Sequence, residues 1–284
     1  MKVEVLLTNN FNLLPPPSNV NFSNTVCLVI DVLRATSTIA TLLGVGVERI
    51  LIARTKKQAF KLKKIFSDYI LCGEEKGLPP RGFDFGNSPF ELSNLDLKGK
   101  RIILKTTNGT VSFFKAKDAK VTFSLSILNM KYTMDCAVSY AQKNSCDILI
   151  LCSGREGNIA YDDAYTAGVA VKYLLTKPVR NLELQDSAKL VLSVCLGEKS
   201  IESALEKSYS GVYVRRIGLG KDNEFCAKLN SYNVTGRLKI EKFKLDNSSE
   251  FSDYSGCSRK IQKNKNSQHI ELLVLEPFVC SDYL

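Results

Sequence analysis

The chain has a single histidine, His269, near its C-terminal end, so proton shuttling or phosphoryl transfer through imidazole would have only one residue to use. None of its nine cysteines forms a C-x-x-C pair, and a zinc site needs soft ligands that cluster. Cys27, Cys72, Cys136, Cys146, Cys152 and Cys195 sit inside apolar stretches instead, the pattern of reduced, buried thiols that pack as small hydrophobes. No window approaches the roughly 18 consecutive apolar residues of a membrane-spanning helix. The N-terminus has no charged segment leading into an apolar signal core, so the expected location is the cytoplasm, with no membrane partner. A basic block interleaved with aromatics is also missing. The excess of 39 Lys+Arg over 29 Asp+Glu, a net charge of +10, is scattered along the chain, which argues against nucleic acid and for a small polyanionic partner.

What is present suits one large domain or two small ones: 284 residues, 44% of them hydrophobic, enough for a sizeable core. The stretch around which the rest is organised is Asp31-Val32-Leu33-Arg34-Ala35-Thr36-Ser37-Thr38. It follows the apolar run Val26–Ile30, which reads as a strand buried on both faces. It leads into Ile39, Leu42 and Leu43, spaced as in a helix that ends at Gly44 and Gly46. A turn between a strand's carboxyl end and a helix is where ligands sit in open α/β sheets. Here it offers a carboxylate for a hard cation, a guanidinium fork for phosphate or carboxylate, and hydroxyls beside a helix N-terminus. The plainer alternative is that Asp31 ends the strand and Thr36 or Ser37 caps the helix.

Strand and helix patterns alternate onward: strands at 3–7, 47–53, 69–72, 101–105, 120–123 and 146–152, helices at 55–66, 127–143, 184–195, 201–206 and 222–229. That alternation predicts parallel βαβ units and an α/β fold. Two more strand ends carry small donors: Thr106-Thr107-Asn108-Gly109-Thr110 and Ser153-Gly154-Arg155-Glu156-Gly157. The Asn-Gly pair predicts a tight turn with positive φ whose N–H groups would cradle an anion. Ahead of both, residues 73–93 lose periodicity and carry Glu74, Glu75, Arg81, Asp84, Asn87, Ser88 and Glu91, several of them oxygen donors that could ligate a divalent cation. One of Asp162 and Asp163 is expected to cap a helix, and the other could reach a metal. No internal repeat is visible. From about residue 234 the character changes, and 244–268 are rich in Ser, Asn and Lys. The expected division is 1–233 as the main domain and 234–284 as a divergent appendage, an edge hairpin around a flexible insert.

Spacing removes several phosphate chemistries. No G-x-x-x-x-G-K-[ST] loop, no cysteine followed by five residues and arginine, and no G-x-S-x-G elbow occurs, and Leu33 stands where an aspartyl-phosphate enzyme needs its second aspartate. Attack by water remains, assisted by a metal held by carboxylates, with basic groups neutralising phosphoryl oxygens. The motifs DVLRATST (31–38), GEEKG (73–77), GFDFGNSPFE (82–91), TTNGT (106–110), CSGREG (152–157) and DDAYTAG (162–168), with Asp186-Ser187-Ala188 and Gly218…Asp222…Phe225-Cys226-Ala227, resemble the 2-phosphosulfolactate phosphatase (ComB) family over roughly residues 1–233.

The resemblance implies a three-layer α/β/α fold on a mixed, mostly parallel sheet. It implies a Mg²⁺-dependent phosphoric monoester hydrolase that converts 2-phospho-3-sulfolactate to 3-sulfolactate and phosphate, a step toward coenzyme M. A phosphatase of another small phosphorylated hydroxy acid, or a non-catalytic anion-binding protein, are the alternatives. Residue chemistry at the matched positions gives the expected roles. Asp31, Glu74, Asp84 and Glu91 would form the Mg²⁺ shell, with Glu156 and Asp163 in reserve. Arg34, Thr36, Ser37, Thr38, Asn87, Thr107, Asn108, Gly109 and Thr110 would hold the phosphate. Arg155 and Arg81 would meet the carboxylate or sulfonate. Asp31, Arg34, Asp84 and Arg155 would carry the catalysis. A homodimer is the assembly left open.

Overall fold

The segment Thr25–Ile30, β-branched at Thr25, Val26, Val29 and Ile30, forms the strand its composition favours. Val26, Leu28 and Ile30 enter one core, and Cys27 and Val29 enter the core on the opposite face, the period of two expected of a strand covered on both sides. The computed structural model describes residues 1–13, 22–245 and 268–280. In chain order its elements are β1 (Lys2–Leu6), β2 (Thr25–Ile30), α1 (Ala35–Gly44), β3 (Arg49–Ala53), α2 (Lys56–Ile65), β4 (Ile70–Gly73), α3 (Pro89–Leu92), β5 (Arg101–Lys105), α4 (Gly109–Lys115), β6 (Val121–Leu125), α5 (Met130–Asn144), β7 (Asp147–Cys152), α6 (Tyr161–Leu174), β8 (Glu183–Leu184), α7 (Asp186–Leu196), α8 (Ile201–Lys207), α9 (Tyr209–Arg216), α10 (Lys221–Cys226), β9 (Thr235–Leu245) and β10 (Gln268–Phe278).

These strands form one mixed sheet in the order β4-β5-β3-β10-β9-β6-β2-β7-β1-β8. Two parallel blocks, β4-β5-β3 and β6-β2-β7-β1-β8, are joined by the antiparallel hairpin β9–β10. Helices α1 and α4 pack on one face; α5, α6 and α7 cover the other over β2 and β7, and α2 covers it over β3 and β5. The result is the expected three-layer α/β/α arrangement.

The tail differs from expectation. Residues from 234 do not form an edge hairpin: β10 pairs with β3 through Leu273–Leu275, and β9 meets β6 at Arg237 and Phe123. Leu272, Leu273, Val274 and Leu275 are all buried. A run with four consecutive apolar side chains needs cover on both faces, which a central position provides. The Ser/Asn/Lys-rich insert at 246–267 and loop residues 14–21 lie outside the described residues. Among the described residues, eight cysteines are free and buried, and no helix is long and apolar enough to cross a membrane.

The topology also carries a repeat that the residues conceal. The unit β2-α1-β3-α2-β4 is followed by β5-α4-β6-α5-β7, and each unit places its first strand between the second and third strands of the other. Exchanging β2 with β5, β3 with β6, β4 with β7 and β9 with β10 leaves the eight-strand order unchanged. The chain is thus two interlocked βαβαβ units related by a local two-fold through the hairpin.

Candidate active site

Four loops line one cavity of about 290 Å³: those after β2 and β5, the first strands of the two units, and those after β4 and β7, their last. The two last-strand loops make matching tight turns, Glu75-Lys76-Gly77-Leu78 and Arg155-Glu156-Gly157-Asn158. Lys76 and Gly77 have φ of 51° and 77°, Glu156 and Gly157 51° and 83°; positive φ at both central positions explains a glycine at the second. Helices α6 and α9 close the remaining wall with Asp162, Asp163, Tyr209, Ser210 and Tyr213.

Asp31 lies at the centre, where the N-termini of α1 and α4 converge. Its Oδ1 accepts the Ala35 N–H at 3.2 Å, and the Gly109 N–H donates to the same carboxylate. Gly109 is required for space: a Cβ there would stand 2.5 Å from the Ala35 Cβ and 2.9 Å from Asp31 Oδ2. The expected positive-φ Asn-Gly turn is corrected. Asn108 has φ −110° and precedes Gly109 as the N-cap of α4, and Gly109 does not adopt positive φ. Glu74 accepts N–H groups from Gly77 and Thr107, and Thr110 N–H turns to Thr106 Oγ1 at 3.0 Å. Of the N–H groups expected to cradle phosphate after β5, that of Thr107 therefore holds the Glu74 carboxylate and that of Thr110 a threonine hydroxyl.

Asp163 joins two loops, its Oδ1 accepting the Val32 N–H at 2.9 Å and its Oδ2 the Gly154 N–H at 3.0 Å. Neither it nor Asp162 caps α6, whose N-cap is Ala160. Asp162, absent from the expected site, lines the cavity and accepts the Ser210 hydroxyl at 3.0 Å. Burial pushes the Asp31 carboxyl up to about 7, with repulsion from Glu74 and Asp162 adding to it and the Ala35 and Gly109 N–H groups opposing it. Burial likewise raises Asp162 to about 6, and burial followed by repulsion from Asp162 and Asp31 holds Asp163 well above the carboxylate range.

Cationic groups face these acids. Arg34 is 4% exposed and lines the cavity; its guanidinium donates to Asp222 and to the Gly77 carbonyl. Arg155 packs over Tyr209, its Cζ 3.6 Å from the ring centroid, a cation–π contact, with its Nη1 3.8 Å from Glu156 Oε2. Asn108 faces the cavity, and its Oδ1 accepts the Glu156 N–H at 3.2 Å. Asn87 is buried there, and its Oδ1 has no hydrogen-bond partner among the described residues.

Of the sequence-predicted residues, Asp31, Arg34, Glu74, Asn87, Thr107, Asn108, Arg155, Glu156 and Asp163 share this cavity. Others lie elsewhere. Asp84 is exposed and accepts the Leu71 N–H at 2.8 Å, which ties its loop to β4. Arg81 and Glu91 are exposed, and Glu91 borders a second hollow beside α10. Thr36, Ser37 and Thr38 are buried in α1 with their hydroxyls donated to the carbonyls of Asp31, Val32 and Asn87. Thr110 donates to the Thr106 carbonyl at 2.7 Å. These hydroxyls serve the fold. Asp162, Tyr209, Ser210 and Asp222 were not among the assigned site residues, although Asp162 and Asp222 stand within the matched motifs.

Among the described residues, no three of His, Cys, Asp and Glu are arranged as a ready metal cage. The donor chemistry nevertheless fits a hard divalent cation: carboxylates raised first by burial and then by mutual repulsion, with the unpartnered Asn87 amide oxygen in the same cavity lining. Mg²⁺ is commonly held by one or two carboxylates with phosphate and water completing its shell.

A family model described as 2-phosphosulpholactate phosphatase matches residues 14–248. Three curated relatives carry the name "Probable 2-phosphosulfolactate phosphatase". The protein from Carboxydothermus hydrogenoformans is 36% identical over 252 residues, 86% of this chain and 99% of that protein. The one from Deinococcus radiodurans is 36% identical over 214 residues, 75% and 87% of the two chains. The one from Thermus thermophilus is 35% identical over 205 residues, 72% and 84%.

Proposed function

Because the chain belongs to the 2-phosphosulpholactate phosphatase family, we propose that it hydrolyses 2-phospho-3-sulfolactate to 3-sulfolactate and inorganic phosphate, with Mg²⁺, in a step toward coenzyme M. The observation that carries this reading is the pairing of Asp31, buried at two converging helix N-termini, with Arg34 and Arg155 on the same cavity. A trianionic substrate needs both halves of that arrangement.

Arg34 is immobilised by Asp222 and Gly77, so its guanidinium meets the phosphoryl oxygens without the ordering cost a surface arginine would bear. Arg155, backed by Tyr209, holds the sulfonate or carboxylate end. Water attacks phosphorus in line, and the ester P–O bond breaks. The proton the water loses passes to a cavity carboxylate, Asp162, raised by burial to about 6, and an equivalent proton returns to the departing alkoxide oxygen, which leaves as the hydroxyl of 3-sulfolactate. Asp31, Glu74 and Asn87 are the oxygen donors that would hold Mg²⁺, which when bound offsets the charge that develops on the phosphoryl oxygens.

The test is phosphate release from 2-phosphosulfolactate and from 2-phospholactate, with added Mg²⁺ and with EDTA. Turnover of the sulfonate, abolished by EDTA and restored by Mg²⁺, is expected. Turnover of phospholactate alone would reassign the substrate, turnover indifferent to EDTA would remove the metal, and phosphate binding without hydrolysis of either would make the chain an anion-binding protein.

A further inference from the structure

The Arg34 guanidinium reaches the cavity from a buried anchor, Asp222, whose own fixing the scheme above leaves unexplained. Asp222, on α10, is 1% exposed. Its Oδ2 lies 2.8 Å from Arg34 Nη1. Its Oδ1 accepts the Ser88 hydroxyl at 2.6 Å and the Phe90 N–H at 3.2 Å, both at the start of α3. On the other side, Arg34 Nη2 donates to the Gly77 carbonyl in the tight turn after β4. One carboxylate thus joins α10, α3, the loop after β2 and, through the arginine, the turn after β4. The fork is grasped at both terminal nitrogens, which fixes its plane.

We propose that Asp222 is a positioning residue: it sets the plane of the Arg34 guanidinium, so that one edge is presented to the phosphoryl group of the substrate. The inference rests on the reading that Arg34 meets phosphate. A single charge–charge contact would hold an arginine in the cavity; the split of Asp222 between Arg34 and the backbone of α3 also fixes the carboxylate itself, so that the arginine inherits the rigidity of two helices. A planar fork gains from such fixing because its hydrogen bonds are directional.

The experiment uses inorganic phosphate as the probe, titrated calorimetrically into the full chain at fixed Mg²⁺, so that it does not depend on which ester is the substrate. Asp222→Asn keeps the shape and removes the charge. It is expected to weaken phosphate binding about tenfold, the scale of one misaligned charge-assisted hydrogen bond. Ser88→Ala, which removes one of the carboxylate's two contacts with α3 and leaves the Phe90 N–H, is expected to change affinity less than about twofold while lowering the melting temperature, as loss of an N-cap does. In an Arg34→Lys background, Asp222→Asn is expected to add less than about twofold, because coupled residues are not additive. Wild-type affinity in Asp222→Asn would overturn the proposal, as would an equal loss in both backgrounds, the mark of a carboxylate that acts on the fold alone. If Asp222→Asn does not fold, Asp222→Glu keeps the charge but displaces the fork by one methylene. A several-fold weaker affinity at an unchanged melting temperature is then expected, and wild-type affinity refutes the idea. Failure to hydrolyse 2-phosphosulfolactate would overturn the functional reading and leave the phosphate titration to decide this one; a wild-type chain that binds no phosphate would end both.

Discussion

Replacing Asp31 by asparagine should stabilise the protein in alkali and destabilise it in acid. Asp31 is buried against the cavity, and its pKa moves from an ordinary 3.8 to about 7, burial being the largest cause. Below 3.8 the group is protonated in the folded and unfolded chain alike, and the full stability is present. As pH rises from there, the folded state keeps a proton that the unfolded state has lost, so stability falls. Above about 7 both states are ionised, and the loss is complete. Some three pH units at about 1.4 kcal/mol each make that loss about 4 kcal/mol. Asparagine cannot ionise and escapes it. Its amide group turns an NH₂ toward the N–H of Ala35 or Gly109, however, which forfeits one hydrogen bond at about 1–3 kcal/mol. The variant should therefore be about 1–3 kcal/mol more stable than wild type at pH 8 and less stable by a similar amount at pH 4. Urea denaturation of both proteins in EDTA, from pH 4 to 8, reads this directly. Removing the Asp31 charge also relieves Asp163, which it repels, so the difference between the curves reports Asp31 together with its effect on that neighbour. Phosphate release by the variant should fall about a hundredfold or more. Denaturation curves that run parallel across the whole range would refute the reasoning, because they would mean that Asp31 is ionised at little cost in the fold.

Two further outcomes follow from the packing. Leu275→Ala, fully buried in β10 opposite Ile50, should cost about 2–5 kcal/mol within one cooperative transition of the whole chain; a separate early step confined to the hairpin, measured by circular dichroism and differential calorimetry, would show that the hairpin is peripheral. Tyr209→Ala removes the platform under Arg155, a contact worth about 0.5–1 kcal/mol at a partly exposed site. The KM for 2-phosphosulfolactate should then rise about two- to fivefold while that for phenyl phosphate stays unchanged, and an equal rise for both would detach Arg155 from the second acidic group.

The parts of the site legible in the sequence were those where a buried run stops abruptly. Val26–Ile30 and Cys146–Cys152 are apolar on both faces, so the polar residues that follow must emerge at a strand end, and Asp31, Arg34, Arg155 and Glu156 do line the cavity. Composition could not separate hydroxyls that face a ligand from hydroxyls that close a helix. Thr36, Ser37, Thr38 and Thr110 all satisfy nearby carbonyls, the local competition that makes Ser and Thr ambiguous. Asp84 failed for the same reason: a carboxylate in a long loop serves as well to tie the loop to a strand, as it does to Leu71 N–H. The tail misled because β9 alternates Leu238, Ile240 and charged neighbours like an edge strand, and Ile240 is indeed 43% exposed. Its partner β10 is the element that needs cover on both faces, and the run Leu272–Leu275 was the signal for it.

The two-fold exchange of strands explains why a cavity forms where it does and why its chemistry is one-sided. Each unit ends its first strand in a turn closed by the same bond, Thr36 Oγ1 to the Asp31 carbonyl in one and Thr110 Oγ1 to the Thr106 carbonyl in the other. The helices that follow start face to face, Ala35 against Gly109. At the pivotal position, however, the first unit carries Asp31 and the second Thr106. An acid in both places would set two buried carboxylates against each other at converging helix N-termini that hold one, on top of the repulsion already supplied by Glu74 and Asp162. Arg34, the N-cap of α1, is answered by the uncharged Asn108, the N-cap of α4, in a turn one residue shorter. The repeat supplies the frame, in which two helix N-termini meet at one carboxylate, and the departures from symmetry supply the acid, the guanidinium and the direction from which an anion enters.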